Sequence, residues 1–203
     1  ATNNVVRFSG NLGINAGTAG DGHYVANNVL TDNGHEQFGP SNFAGFDGGI
    51  ATCGTCFGPG APTTIINNYI SNNVGFGVFL GFNGHVFPGE AYQAPRANLV
   101  RGNTVIGNTG DGIFVECDMV FDAMFNGTCL TNPPRHQGLR ILDNISLENG
   151  GTGAGVTAWD LHDGNKNPDG SGGCNFNTWS GNTYTTANPA CTTNAGTFNP
   201  DPT

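Results

Sequence analysis

Four acidic residues stand in two close pairs, Glu116 with Asp118 and Asp160 with Asp163. Two carboxyls flanking a glycosidic bond are what its cleavage needs: one kept protonated as acid, the other serving as base or nucleophile. Elimination would instead need a base beside the sugar and a cation on its carboxylate. The chain contains a single lysine, so Arg96, Arg135 or His136 would have to fill those roles. The catalytic candidates are therefore Glu116, Asp118, Asp160, Asp163, Arg135 and His136. Tyr92, Arg96, Trp159 and His162 are the expected substrate-binding residues, since aromatic faces and polar heads together grip a sugar ring.

A second chemistry overlaps the first. Asp163, Asn165, Asn167 and Asp169 recur at alternate positions, the spacing by which a loop wraps a hard cation such as Ca2+. The stretch departs from an EF-hand loop, with Pro168 in place of the required Gly and Cys174 where the bidentate Glu would stand. The five histidines, at 23, 35, 85, 136 and 162, show no close metal-binding spacing.

Composition limits the partners. The net charge of −9, from 6 Lys+Arg against 15 Asp+Glu, leaves nothing to neutralise a row of phosphates and excludes nucleic acid. No apolar run approaches the roughly 18 residues of a membrane span; the nearest, residues 75–82, is Gly-interrupted. Six cysteines in an acidic chain fit an oxidising compartment, hence a secreted or cell-surface protein, and near-neighbour pairing predicts Cys53 with Cys56, Cys117 with Cys129 and Cys174 with Cys191.

The elements that must position these residues follow from a repeat. Among 203 residues there are 34 Gly and 28 Asn, both poor helix formers. Asn pairs five apart recur at Asn28/Asn33, Asn68/Asn73, Asn103/Asn108, Asn144/Asn149 and Asn177/Asn182. Near them Gly opens a short apolar run, at Gly22, Gly49, Gly77, Gly112 and Gly155, each reading as a strand after a turn. Such short strands cannot bury their own apolar face, whereas stacking unit on unit can. The expectation is an all-β parallel β-helix, a solenoid of about seven coils, with Asn and Gly at the corners and Asn able to stack as a side-chain ladder.

Runs such as INNYISNNVGFGVFL and LVRGNTVIGNTGDGIFVE resemble the Asn-rich repeats of the pectin-lyase-like superfamily, over residues 5–184. That resemblance implies a right-handed coil and an extracellular polysaccharide as partner. The polygalacturonase set Asn-Thr-Asp, Asp-Asp and Gly-His-Gly and the pectate lyase signature are not in the sequence.

Counted from each strand Gly to the next paired Asn, the interval grows from 6 residues to 19, 26, 32 and 22. The excess forms long loops at one corner, a ridge on which the candidate residues collect. The chain reads as one domain, 1–203, with an N-terminal coil over 1–24 lacking an obvious cap, central coils over 25–173, and a disulfide-stapled cap and tail over 174–203. The expected function is binding or processing extracellular polysaccharide on the ridge; the alternative is a non-catalytic subunit that self-associates through its coil ends into a filament or surface layer.

Overall fold

The computed structural model describes residues 1–16, 22–34, 47–53, 62–81, 84–92, 98–124, 126–133, 137–150, 158–193 and 197–198. It is all-β, built on three parallel sheets. Sheet 1 contains β3 (Tyr24–Ala26), β6 (Thr64–Ile66), β10 (Leu99–Arg101), β15 (Arg140–Leu142) and β18 (Thr178–Ser180). Sheet 2 contains β1 (Val5–Arg7), β4 (Val29–Thr31), β7 (Tyr69–Ser71), β11 (Thr104–Ile106), β16 (Ile145–Leu147), β19 (Thr183–Tyr184) and β21 (Thr197–Phe198). Sheet 3 contains β2 (Leu12–Ala16), β5 (Gly48–Cys53), β8 (Phe76–Gly81), β12 (Ile113–Val115), β17 (Leu161–Asp163) and β20 (Ala187–Asn188). A small fourth sheet, β9 (His85–Val86), β13 (Met119–Phe121) and β14 (Gly127–Cys129), is made from the loops themselves.

From β3 to β20 the chain visits sheets 1, 2 and 3 in fixed rotation, so every strand pairs with its counterpart one round earlier or later. This topology is compatible with a β-helix or solenoid. Stacking places like on like at the strand spacing of roughly 4.8 Å. In sheet 1 the inward column is Val25, Ile65, Val100, Ile141 and Trp179. In sheet 2 it runs Leu30, Ile70, Val105, Ser146 and Tyr184, and in sheet 3 Ile50, Val78, Ile113 and Leu161. These columns form one core, and each fully buried aliphatic side chain in it contributes roughly 1.5–3 kcal/mol.

The corners explain the Asn pairs. Between strands the chain turns by placing one residue in the left-handed region and burying the next: Asn67 (φ 53°) precedes Asn68, Asp143 (φ 55°) precedes Asn144, and Gly102 (φ 64°) precedes Asn103. The buried amides then join across rounds. Asn28, Asn68, Asn103 and Asn144 each donate through both backbone N–H and Nδ2 to the Oδ1 of the next, ending on Asn182. A second ladder runs Asn33, Asn73, Asn108 and Asn149 and ends on Asp160 Oδ1.

Three expectations need correction. Asn177 and Asn182 do not continue the series of pairs: Asn182 is the counterpart of Asn144, while Asn177 lies at the corner before sheet 1, with Leu139 N donating to its Oδ1. The run after Gly22 is β3 of sheet 1, not a counterpart of β5 in sheet 3. The strand that follows β12 in sheet 3 is β17, whereas Gly155 lies outside the described residues. Three-residue strands separated by two-residue corners give the same five-residue spacing at successive corners, so spacing alone does not say which corner a given Asn occupies.

The register also places the loops. Sheets 1 and 2 are joined by two residues every time, as at 27–28 and 102–103. The long connections flank sheet 3: after its strands at 54–63, 82–98, 116–139 and 164–177, as the ridge required, and also before them at 32–47 and 148–160. The disulfides Cys117–Cys129 and Cys174–Cys191 join the expected partners and fit an oxidising environment. The pairing of Cys53 with Cys56 involves a residue outside those described. No helix among the described residues is long and apolar enough to cross a membrane.

Replacing Asn103 with Leu strands the donors of Asn68 and the carbonyls of Ile65 and Arg101, and should lower unfolding free energy by more than about 4 kcal/mol in chemical denaturation. Glu148→Gly should act oppositely, raising it by about 1 kcal/mol, because Glu148 holds φ at 56° where a Cβ is strained.

Candidate functional site

The ridge loops are rooted in a buried polar network. Asp163 is the third residue of β17 and continues the inward column Ala16, Thr52, Leu80 and Val115, so its carboxylate enters the interior at 2% exposure. Its Oδ1 accepts from the backbone N–H (3.2 Å) and Nδ2 (2.7 Å) of Asn165; its Oδ2 accepts from Asn177 Nδ2 (2.9 Å) and Trp179 Nε1 (3.1 Å). Asp118, equally buried, accepts Gln137 Nε2 on Oδ1 (2.8 Å) and both Tyr92 Oη and Asn175 Nδ2 on Oδ2 (3.0 Å each). Gln137 closes the circuit, its Oε1 accepting Nδ2 of Asn165 (2.6 Å) and of Asn177 (2.8 Å).

These donors are neutral, and a buried carboxylate without a cation is held charged only at a cost. Burial accordingly pushes the Asp118 carboxyl above the ordinary carboxylate range, with the hydrogen bonds opposing and the Asp163 charge adding to the rise. Asp163 is raised by burial too, against the hydrogen bonds from Asn177, Asn165 and Trp179.

Of the expected catalytic residues, the structure links Asp118 and Asp163, one from each close pair, across adjacent rounds through Gln137 and Asn165. Glu116 lies half-buried at the start of the same loop, its carbonyl accepting Gln137 Nε2 (3.0 Å). Asp160 is fully engaged elsewhere: Oδ1 ends the second Asn ladder, and Oδ2 accepts the backbone N–H groups of Thr185 (2.8 Å) and Thr186 (2.9 Å). Arg96, Arg135 and His136 lie outside the described residues.

The four residues expected to wrap Ca2+ do not converge. Asp163 and Asn165 are buried in the network, whereas Asn167 and Asp169 belong to an exposed turn where Ser171 donates to Asp169 Oδ1 and Asn167 Nδ2 donates to Ser171 Oγ. The alternation that suggested a cation loop is divided between the last strand residue and a surface turn. No cluster of three or more His, Cys, Asp or Glu among the described residues is placed to hold a metal ion.

His162 lies on the outer face of sheet 3, where Asp111 binds both it and the backbone of Trp159. Asp111 Oδ2 lies 2.9 Å from His162 Nδ1, while Asp111 Oδ1 accepts the Trp159 backbone N–H. The imidazole packs on Phe114 (4.7 Å between centroids), which stacks with Phe76 (5.3 Å). Phe79 and Phe114 are register partners in the same outward column as His162. An Asp-oriented imidazole of this kind can exchange protons or hydrogen-bond a hydroxyl. Sequence reasoning missed Asp111, although Asp-Gly opens two sheet 3 strands, at Asp47-Gly48 and Asp111-Gly112. It also missed Gln137, Asn175 and Trp179, which carry no signal until the rounds are stacked, and it read Asn177 only as a repeat residue.

A groove of about 460 Å³ opens beside the third and fourth loops, lined by Asn132, Lys166, Asn167, Asn175 and Phe176. Phe176 is 74% exposed and held at φ 60°, a left-handed conformation that a bulky side chain rarely adopts.

No family model, curated protein or solved structure matches the chain.

The raised acids fix a pH dependence. A carboxyl whose folded pKa exceeds its unfolded value binds its proton more tightly when folded, so stability is greatest below the unfolded value and is lost as pH rises through the folded one. Melting temperature should therefore rise as pH is lowered from 7 toward the ordinary carboxylate range, and Asp118→Asn should flatten that rise. His85, lowered by burial, opposes it, since a buried imidazole resists the proton that the unfolded chain takes up; Asp122 and Asp169, lowered by local hydrogen bonds, also oppose it but are fully exposed and screened.

Proposed function

We propose that the protein is a secreted, right-handed parallel β-helix of about seven coils, similar in build to the pectin-lyase-like superfamily, which binds extracellular polysaccharide on the loop ridge. Residues 1–203 would form one unit, with 174–203 as its stapled cap. The observation that carries this reading is the groove beside the third and fourth loops. A sugar ring offers hydroxyls around its rim and C–H groups on its faces, so it suits amide side chains set beside an exposed aromatic ring. Asn132 and Asn167 supply the first and Phe176 the second.

Pre-organisation supports the same reading. The network ties Tyr92 of the second loop, Asp118 and Gln137 of the third, and Asn165 and Asn175 of the fourth into one body. A surface already ordered loses less entropy on binding. Whether a bond is also broken would turn on His162 with Asp111, a candidate acid–base pair on the outer face. The alternative, end-to-end stacking into a filament, needs both ends open, and the 3₁₀ helix Ala190–Thr193 packs against β17, β18 and β20 at one of them.

A panel of soluble polysaccharides tested by calorimetry should give saturable binding to at least one member. Phe176→Ala should weaken it at least tenfold, equivalent to about 1.4 kcal/mol, while leaving the melting curve in place. Absence of binding across the panel, together with large particles in light scattering, would favour the filament instead.

A further inference from the structure

The sequence contains two Asn-x-Ser/Thr acceptor motifs, Asn126-Gly-Thr and Asn144-Ile-Ser, and the fold treats them oppositely. We propose that Asn126 is an attachment site for an N-linked oligosaccharide and that Asn144, in the folded chain, is refused.

The protons on Nδ2 separate the two. Attachment forms a bond from Nδ2 to the anomeric carbon of the sugar. The bond from that carbon to its lipid diphosphate carrier breaks, the diphosphate leaves with the electron pair, and Nδ2 gives up one of its two protons to a base of the transferase. The nitrogen keeps one proton and needs open space on its other side. Asn126 meets both conditions. It lies in the turn of the hairpin β13–β14, whose base is closed by Cys117–Cys129, and Asn126, Gly127 and Thr128 are all exposed. Its Nδ2 makes one hydrogen bond, to Asp122 Oδ2 (2.9 Å), while Asp122 Oδ1 accepts the backbone N–H groups of Met124 (2.8 Å) and Asn126 (2.9 Å) and fixes the turn. One proton orients the side chain and the other is available for replacement.

Asn144 fails on both counts. It is 0% exposed, and its Nδ2 spends both protons, one on Val100 O (3.1 Å) and one on Asn182 Oδ1 (2.9 Å). A sugar there would break the first ladder between Asn103 and Asn182, so modification of Asn144 and the folded corner are mutually exclusive.

The test exposes the full chain, once folded with disulfides intact and once reduced and denatured, to a eukaryotic oligosaccharyltransferase and its lipid-linked donor, and maps glycopeptides by mass spectrometry. The denatured chain should be modified at both positions, and the folded chain at Asn126 alone. Asn126→Gln and Thr128→Ala should each remove the glycan from the folded chain without moving its melting temperature. A folded chain unmodified at Asn126 under conditions that modify the denatured one would overturn the proposal. So would a glycan on Asn144 in protein that keeps its native melting curve.

Discussion

A chain that turns a corner every five residues leaves backbone N–H groups at each corner with no strand to receive them, and a buried N–H without an acceptor is costly. Here an asparagine side chain of the neighbouring round supplies the acceptor, and its own amide is received one round further on. The rest of the structure depends on this exchange. It aligns the corners, the aligned corners keep the strands in register, and register stacks Val25 on Ile65 on Val100 on Ile141. Few side chains could replace Asn in this role, because the position demands an acceptor and two donors at fixed reach in a space that excludes water.

Much of this was legible beforehand. Asn pairs five apart, each beside residues tolerant of left-handed backbone, announced stacked parallel strands, and cysteine proximity gave the partners of Cys117 and Cys174. Assignment of strands to sheets slipped, as with Asn177 and Gly22, because successive corners share one spacing. The site was less legible still. In sheets 1 and 2 the middle residue of a strand points inward, as Ile65 and Leu30 do, whereas in sheet 3 the first and third do, as Ile113 and Val115 do. That change of parity sends Asp163 into the core and His162 to the surface, and nothing in the local sequence distinguishes the two outcomes.

The buried acids are best understood together with the loops they hold. Asp118 and Asp163 gather neutral donors from three successive insertions, so the hydrogen bonds that partly offset the burial of these acids are the same ones that tie the long segments together. Polar groups at the foot of the ridge and open, amide-lined space beside it are then two sides of one arrangement. The loops differ in length, but each departs from the same edge of sheet 3, so their roots fall on a common line and neighbouring loops can share partners.

Asp160 gives the second ladder a terminus of a particular kind. A carboxylate receives hydrogen bonds but has none to give when ionised, so the relay of amides that runs through Asn33, Asn73, Asn108 and Asn149 stops on it, and its second oxygen turns to the backbone of Thr185 and Thr186. For a gene that grows by copying whole repeats this draws a boundary. An extra round inserted among the earlier ones would inherit amides on both sides and simply lengthen the array. A copy of the round containing Asp160 would bring its own Asn149 and its own Asp160, so each copy would close on itself and not hand the relay on to the next. A single residue thus sets where the array can be extended and where it is closed.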